Sequence, residues 1–450
     1  MNKPEQLPKK RTAPALSPES VGFIFDKFGA VIGINPNLFA KHVKATMEIC
    51  YSPQKLFYLY SKGVYRVLDE QALTARLSRI VNRFVPDSWL PSYELQYIKA
   101  IKNLVYTKHG MNPRKNMLNL KNGMLNIDDL SFHDHSPSFR SSVQLPYSFD
   151  PSANCPQFEQ FLFDIFEGDP ERIAIMEEWL GYSLVNETTS CKSAVFLGSG
   201  SNGKSVLCEL MRQLCGPENV SSVSLSELSN SFARLDLLDK TLNLVTESEI
   251  SGSTFNTEIF KALVSGDPIR VEIKHGASFS IKPTVKLVTA MNAMPFTKDQ
   301  SYGLARRLLI IPFRKCFKTA NQLKKLSKQQ RIDAKVGLAD PRLIEKLLTE
   351  LPGIFNLALK GLQRLRHNNY QFTESSLAAE ELREFQETIS PISAFVSEMI
   401  QSADPESRVK NKTLCELFSC WCKDRGHKLS AEMSDVRFHA LLKNALKDNH

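Results

Sequence analysis

The segment that most constrains the fold is a glycine-rich loop near the middle of the chain. Gly198, Gly203, Lys204 and Ser205 have the spacing G-x-x-x-x-G-K-S of a phosphate-binding loop. The apolar residues before this loop predict a buried strand, and those after it recur on one face of a helix. Glycines let successive backbone N–H groups turn toward a phosphate, and a helix N-terminus adds positive partial charge. A strand, a loop and a helix in this order predict an α/β fold that binds a nucleoside triphosphate.

The residues of the loop have different expected roles toward ATP. Lys204 can reach the β- and γ-phosphates, and the Ser205 hydroxyl can bind Mg²⁺. The backbone N–H groups of the loop can surround the phosphates. We therefore expect the nucleotide to be held by Gly198, Ser199, Gly200, Ser201, Asn202, Gly203, Lys204, Ser205 and Val206.

Two glutamates follow the next long strand candidate. Residues 241–246 alternate apolar and polar side chains and end before Glu247 and Glu249. Carboxylates at this place could bind Mg²⁺ and activate the attacking water. The alternative is an exposed acidic turn after an ordinary strand, but the preceding phosphate loop favours the catalytic interpretation. Either glutamate could bind the metal, and Glu247 is taken as its ligand together with Ser205.

Two further strand candidates end or begin at polar residues. Residues 284–290 lie just before Asn292, which could orient water or sense the γ-phosphate, or could simply form part of a turn. Residues 308–311 follow Arg306 and Arg307. An arginine beside a core strand can act as a finger on the phosphate of a neighbouring subunit, whereas an arginine pair is otherwise a solvated edge. Arg307 directly precedes the strand and is the first candidate, and Arg306 is the second.

This order of motifs closely resembles that of superfamily 3 helicases, in particular the phage and plasmid primase-helicases related to the poxvirus primase-helicase. The resemblance implies an AAA+-like ATPase core with a central parallel sheet and a hexameric ring. It also implies ATP-driven movement on single-stranded or forked DNA during replication of a mobile element. Further segments carry the resemblance over roughly residues 115–365: residues 154–182, residues 260–269 with Gly-Asp-Pro, residues 306–313 with Arg-Arg and Ile-Pro-Phe, and residues 351–361.

The resemblance also gives a role to a basic hairpin. Residues 270–281 alternate on both sides of Lys274 and His275, which predicts a β-hairpin with a cationic tip. Superfamily 3 viral helicases have a Lys-His pair on a hairpin that lines the channel of the ring. By this resemblance Lys274 and His275 are expected to contact DNA phosphates. Without it, an ordinary surface hairpin is the better interpretation.

Composition allows these interpretations without requiring them. The 450 residues are 42% hydrophobic and 23% charged, as in globular proteins, and a net charge of +9 suits a polyanionic partner. No apolar run approaches about 18 residues, so no membrane span is expected. Nine cysteines, an odd number within apolar patterns, are typical of a reducing compartment, and we expect a cytoplasmic protein.

The sequence predicts six segments in chain order. Priming or polymerase activity is expected to come from a separate protein, because the residues before 150 contain neither a zinc finger nor a paired-aspartate polymerase motif. The segments are a disordered tail at 1–20, an N-terminal α+β accessory region at 21–150, a helical, collar-like segment at 151–190, the P-loop ATPase core at 191–316, a helical segment and connector at 317–388, and a winged-helix-like C-terminal unit at 389–450.

Two other classes of function fit parts of the sequence. A replication initiator or clamp could bind DNA and use ATP only to assemble, without processive unwinding. A P-loop phosphotransferase would need neither a ring nor DNA. The cationic hairpin tip and the pair Arg306 and Arg307 argue against the phosphotransferase.

Overall fold

The chain forms two compact units in the computed structural model. The first unit ends at Pro113 and also includes Ser136–Ser142, and the second comprises Arg114–His135 and the chain from Val143 onward. The structure describes residues 16–246, 256–274, 276, 278–294, 302–327, 336–389, 391–401, 406–425 and 435–448.

The division between the units lies earlier than the boundary that was expected at residue 150. Leu118, Leu125 and Leu145 are buried in the core that surrounds the phosphate loop, so the segments that carry them belong to the second unit. Burying these apolar side chains stabilises the second unit, so their segments pack with it although they precede the helical segment in the sequence.

The first unit combines two small antiparallel sheets with helices around one hydrophobic core. The strands Phe57–Ser61 and Val64–Leu68 form a hairpin with Lys62 and Gly63 at its turn. The elements in chain order are α1 (Pro18–Val21), β1 (Phe23–Phe25), β2 (Val31–Ile34), α2 (Pro36–Thr46), β3 (Ile49–Tyr51), β4 (Phe57–Ser61), β5 (Val64–Leu68), α3 (Glu70–Phe84) and α4 (Glu94–Val105).

The second unit contains the remaining elements. Up to the middle of the unit they are β6 (Met117–Leu120), β7 (Gly123–Asn126), β8 (Phe132–His133), α5 (Pro156–Ile165), α6 (Pro170–Leu184), β9 (Ser193–Leu197), α7 (Lys204–Cys215), β10 (Val220–Ser221), β11 (Leu242–Thr246), α8 (Thr257–Ser265), β12 (Ile269–Glu272), β13 (Ser278–Ile281) and β14 (Lys286–Met291). They continue with α9 (Tyr302–Ala305), β15 (Leu308–Pro312), β16 (Phe317–Lys318), α10 (Ala320–Lys324), β17 (Gly337–Leu338), α11 (Leu343–Leu348), α12 (Leu351–His367), α13 (Ser376–Ile389), α14 (Pro391–Met399), α15 (Asn411–Asp424) and α16 (Asp435–Asp448).

A five-stranded parallel sheet organises the second unit, as predicted. Its strand order is β10-β11-β14-β9-β15, so the strand that leads into the phosphate loop is an inner strand. Val195 of β9 lies opposite Thr289 of β14 and Ile310 of β15. Alternate residues of β9 enter two different core clusters, because helices and loops cover both faces of the sheet. The carboxyl ends of all five strands therefore meet at one edge, where open α/β sheets bind their ligands.

Helices α5 and α6, which were expected to form a separate segment, share one core with the sheet and α12. Two glycines allow α6 and α12 to pack closely. A Cβ atom on Gly181 would lie 2.2 Å from the carbonyl oxygen of Ala358, and one on Gly361 would lie 2.3 Å from the backbone of Glu177. Any side chain at these positions would force the two helices apart.

The C-terminal helices form a small core of their own. Rings of Phe395, Phe418 and Phe438 from α14, α15 and α16 pack together around Trp421. The described elements of this region are helices, and residues 426–434 lie outside the described residues. The winged-helix-like form remains a prediction.

Within the described ranges, no helix combines the length and the apolar character needed to cross a bilayer.

Candidate functional site

The predicted phosphate loop connects β9 to α7 at the carboxyl edge of the sheet. Its backbone requires glycine at two positions. Gly203 has φ of +88° and directly precedes the first residue of α7. At Gly198 a Cβ atom would lie 2.3 Å from the side-chain nitrogen of Asn202 and 2.4 Å from the carbonyl oxygen of Phe313. The loop is therefore folded tightly against the chain that follows β15.

Lys204 lies inside this loop rather than in solvent. Its side chain is buried, and its Nζ donates to the carbonyl oxygen of Gly198 and, at 3.1 Å, to Oδ1 of Asn202. The amide nitrogen of Asn202 donates to the carbonyl oxygen of Phe313 at 3.2 Å. Asn202 thus connects the lysine to the end of β15. Sequence spacing predicted that Asn202 belongs to the loop, but it did not predict this connection.

Arg172 supports the same end of β15 and was not predicted from the sequence. This buried arginine donates to the carbonyl oxygen of Pro312 at 2.9 Å and to that of Phe166 at 2.8 Å. Its Nε also donates to Asp169 at 2.7 Å, and Asp169 caps the N-terminus of α6. The Asp-x-x-Arg spacing was visible in the sequence, but its distant carbonyl partner was not.

A cavity of about 920 Å³ opens at the loop, which is within the size range of ligand pockets. Its floor is formed by the loop and by the ends of neighbouring strands at Thr246, Ala290 and Asn292. Its other walls come from α5 and from the segment between β16 and α11, which the sequence did not assign to the site. These walls present Pro156, Gln157, Gln160, Phe161, Asp164, Phe317, Thr319, Gln322, Leu338, Ala339, Asp340, Leu343 and Lys346.

Several predicted side chains do meet in this cavity. Ser205 is exposed at the first turn of α7, and Asn292 is exposed one residue after β14. The N–H of Gly198 donates to the carbonyl oxygen of Met291 at 3.2 Å, which holds the loop beside Asn292. β11 ends at Thr246, on the cavity wall, directly before Glu247. Glu247 and Glu249 themselves lie outside the described residues.

Arg306 and Arg307 lie at the opposite, amino-terminal edge of the sheet. They precede β15, whose first residue pairs with Ser193 at the start of β9. Because β9 is five residues long, about 15 Å of strand separates this edge from the phosphate loop of the same chain. Neither arginine lines the cavity of its own chain.

The two arginines differ in their contacts within the chain. Arg307 was the first candidate, but its guanidinium donates to the side-chain oxygen of Ser265 at 2.8 and 3.2 Å and to the carbonyl oxygen of Gly303 at 2.6 Å. These bonds tie it to α8 and α9 of its own chain. Arg306 is exposed, so its side chain is the better placed to reach another subunit.

The predicted basic hairpin is formed by β12 and β13. The two strands are antiparallel, with Glu272 opposite Ser278, and Lys274 is exposed at the tip. His275 lies outside the described residues. The hairpin is fixed at its base, because Ile269 and Val271 are buried in the second core cluster. Lys274 does not line the cavity at the glycine-rich loop, so the two predicted sites are separate.

Comparisons with known proteins give partial matches. Residues 196–307 match a family of unknown function (DUF5906), and residues 95–167 match a family described as D5 N terminal like. A segment of 178 residues is 30% identical to an Acanthamoeba polyphaga mimivirus protein named "Putative helicase". The match covers 38% of this chain and 18% of the length of that protein.

Solved structures of the NrS-1 C-terminal region are similar in arrangement. One apo form has a TM-score of 0.49 and 13% identity, and the match covers 86% of each chain. Another has a TM-score of 0.46 and 12% identity over 92% of this chain and 94% of the other.

Proposed function

We propose that this chain is a ring-forming, ATP-dependent DNA helicase of the superfamily 3 type that acts in replication of a phage, plasmid or other mobile element. The observation that carries the proposal is the phosphate loop at the carboxyl edge of β9, which opens into a cavity shared with Asn292. A glycine-rich loop, a helix N-terminus, a lysine and a serine in this arrangement favour phosphate binding. The segments similar to a viral protein named as a helicase and to the D5 N terminal like family support the choice of helicase.

Nucleotide binding is expected to change the partners of Lys204. Its ammonium group would move from the carbonyl oxygen of Gly198 and the side chain of Asn202 to the β- and γ-phosphates. A charge that is buried by the loop is weakly screened, so it can stabilise the negative charge that develops on the transferred phosphoryl group. The loop N–H groups and the N-terminus of α7 would hold the remaining phosphate oxygens.

The cavity fits a magnesium ion in its chemistry. Magnesium prefers oxygen ligands, and the exposed Ser205 hydroxyl lies on the cavity wall beside the phosphate loop. When bound, the ion would neutralise phosphate charge. We assign Ser205 and Glu247 as its protein ligands, and we assign Asn292 with Glu249 to the orientation and activation of the attacking water.

The position of the arginine pair supports a ring. Arg306 lies on the sheet edge opposite the phosphate loop of its own chain, so a head-to-tail neighbour could bring it to a nucleotide. A repeated head-to-tail contact closes into a ring when its rotation allows. A hexamer would then have a complete ATP site at each boundary between subunits, with Lys274 and His275 directed to single-stranded DNA.

The test is DNA-stimulated ATP hydrolysis by the full chain. Wild-type protein should release phosphate faster when single-stranded DNA is added, and Lys204→Ala should lower the rate by about a hundredfold or more. Lys274→Ala should lose most of the DNA stimulation. Lys282→Ala is the matched control, because Lys282 is exposed at the other end of β13, away from the hairpin tip.

Wild-type turnover by the Lys204→Ala protein would refute the assignment of the ATP site. A rate that DNA does not change in any of the proteins would support a P-loop phosphotransferase instead.

A further inference from the structure

The positive charge of the chain is concentrated in the first unit. Residues 1–113 and 136–142 hold 17 Lys and Arg against 8 Asp and Glu, a net charge of +9. The whole chain also has a net charge of +9, so the second unit is neutral, with 40 residues of each sign. The excess positive charge that favours a polyanion therefore lies in the first unit.

Three arginines in the first unit form a stripe along α3. Arg76, Arg79 and Arg83 are spaced by three and four residues, so they share one face of the helix. All three are exposed, and none of their guanidinium groups has a hydrogen-bond or ion-pair partner among the described residues. With a rise of about 1.5 Å per residue, the stripe is about 10 Å long. Unpaired guanidinium groups in a row are suited to bind backbone phosphates.

The contacts of α3 with carboxylates lie on the other flank of the helix. Thr74 donates to Glu94 at 2.9 Å, and Lys102 of α4 pairs with Glu70. Because these positions lie on the opposite side of the helix from the stripe, they leave the arginines without carboxylates. The buried face between the two flanks consists of Leu73, Leu77 and Val81.

An exposed aromatic side chain lies on the hairpin that packs at the C-terminal end of the stripe. β1 and β2 are joined by a turn in which the Asp26 carboxylate accepts from the N–H of Phe28 at 2.8 Å. The Phe28 side chain is 82% exposed at this turn. The hairpin contacts α3 through Phe23, whose ring centre lies 6.1 Å from that of Phe84, the residue after Arg83.

We propose that this surface of the first unit binds single-stranded DNA, with Arg76, Arg79 and Arg83 on successive phosphates and Phe28 stacked on a base. A single strand is chosen because an exposed ring can stack only on bases that are not paired within a duplex. The surface is independent of ATP hydrolysis and separate from the Lys274 hairpin. Only the choice of DNA over RNA rests on the proposed function.

The test is the fluorescence anisotropy of a labelled oligo-dT of about 20 nucleotides, titrated with the full chain in the absence of nucleotide. Substitution of all three stripe arginines by glutamine should raise the Kd by about tenfold or more. The slope of log Kd against log salt should fall by about 2, because each contact with a single-strand phosphate contributes about 0.7. Substitution of the same three residues by lysine should retain most of the slope, because lysine keeps the charge.

Two further variants separate this surface from general charge and from packing. Lys41→Gln, Lys44→Gln and Lys99→Gln together remove the same charge from exposed sites in the same unit, and the Kd should rise less than about threefold. Phe28→Ala should raise the Kd by about five- to tenfold without changing the salt slope.

Several results would overturn the proposal. An unchanged Kd and salt slope in the arginine-to-glutamine variant would show that the stripe does not bind the oligonucleotide. An equal rise in Kd when Lys41, Lys44 and Lys99 are changed to glutamine would show that binding depends on overall charge. Tighter binding of a duplex or of oligo-rU of the same length would contradict the choice of partner. So would binding to vesicles of phosphatidylcholine and phosphatidylserine without binding to the oligonucleotide. Because no nucleotide is present, a failure of the proposed ATPase cannot mimic any of these results.

Discussion

Asn202 is the residue through which the phosphate loop is held to the sheet. Its side-chain nitrogen donates to the carbonyl oxygen of Phe313, and its side-chain oxygen accepts from Lys204. The side chains of Asn202 and Lys204 are both buried, so each of these bonds satisfies a polar group that has little contact with water. The position of Lys204 therefore depends on a residue that has no reacting atom of its own.

Asn202→Ala is expected to weaken both the fold and nucleotide binding. The carbonyl oxygen of Phe313 would lose a buried donor, which costs about 1–3 kcal/mol of unfolding free energy. The KM for ATP should rise by about tenfold, because the loop and Lys204 lose their fixed geometry. Chemical denaturation and steady-state hydrolysis measure the two effects.

Ser199→Ala is the control for this experiment. Ser199 belongs to the same loop, is exposed, and its hydroxyl has no hydrogen-bond partner among the described residues. Its substitution should leave both quantities near their wild-type values. Wild-type stability and KM in Asn202→Ala would contradict a positioning role.

The sequence could predict those site residues whose role is set by local spacing. The loop with Lys204 and Ser205 is one such case, because eight consecutive residues define it. The bond between Asn202 and Phe313 joins residues that are 111 positions apart, and no spacing rule reports it. The bond between Arg307 and Ser265 is a second case, since these residues are 42 positions apart.

Among the elements, β14 carries an unusual buried lysine. Lys286 begins this inner strand, and its Nζ donates to the carbonyl oxygens of Val185 and Thr284. Burial lowers the pKa of Lys286 from 10.5 to about 7, although nearby Glu187 opposes the shift. A neutral lysine amine has two N–H groups, which are enough to donate to both carbonyl oxygens.

Lys286 is expected to make stability depend on pH. Between about pH 7 and 10.5 the unfolded chain keeps a proton on this lysine that the folded chain has released, so the free energy of unfolding should rise with pH. The slope of the unfolding free energy against pH is at most about 1.4 kcal/mol per pH unit from this lysine. The slope vanishes below about pH 7, because the lysine is then protonated in both the folded and the unfolded chain. Denaturant unfolding of wild type and Lys286→Met at several pH values measures the difference. Parallel stability curves for the two proteins would show that the folded lysine stays charged.

At the element scale, periodicity predicted which segments are strands and helices but not how they assemble. The strands around residues 241–246, 284–290 and 308–311 are present, and so is the hairpin at 270–281. The strand order is set by crossovers and could not be read from alternation. The segment after β15 shows the same limit. Its Lys324 and Lys325 are exposed to solvent, whereas Phe317 and Gln322 line the cavity.

For the whole molecule, the proposed ring predicts that two inactive proteins restore activity when mixed. A Lys204→Ala subunit still offers Arg306, and an Arg306→Ala subunit still offers an intact phosphate loop. Mixed rings should therefore contain some complete sites, and the ATPase rate should exceed the sum of the two separate proteins. Rates across mixing ratios measure this, with subunit exchange confirmed independently.

Arg307→Ala serves as the comparison in the mixing experiment. Because Arg307 binds Ser265 and Gly303 of its own chain, its loss should lower stability and should not be complemented by Lys204→Ala. Complementation by Arg307→Ala and not by Arg306→Ala would move the finger by one residue. ATPase rates of the mixtures that never exceed the summed rates of the two separate proteins would count against a site shared between subunits.

The proposed helicase activity is tested by strand displacement from a forked DNA duplex in which one strand carries a fluorescent label. The wild-type chain should displace the labelled strand only with ATP and Mg²⁺, and Lys204→Ala should displace none, although both proteins bind the fork. ATP hydrolysis by the wild-type chain without any displacement would contradict the helicase and would favour an initiator or clamp that uses ATP only to assemble.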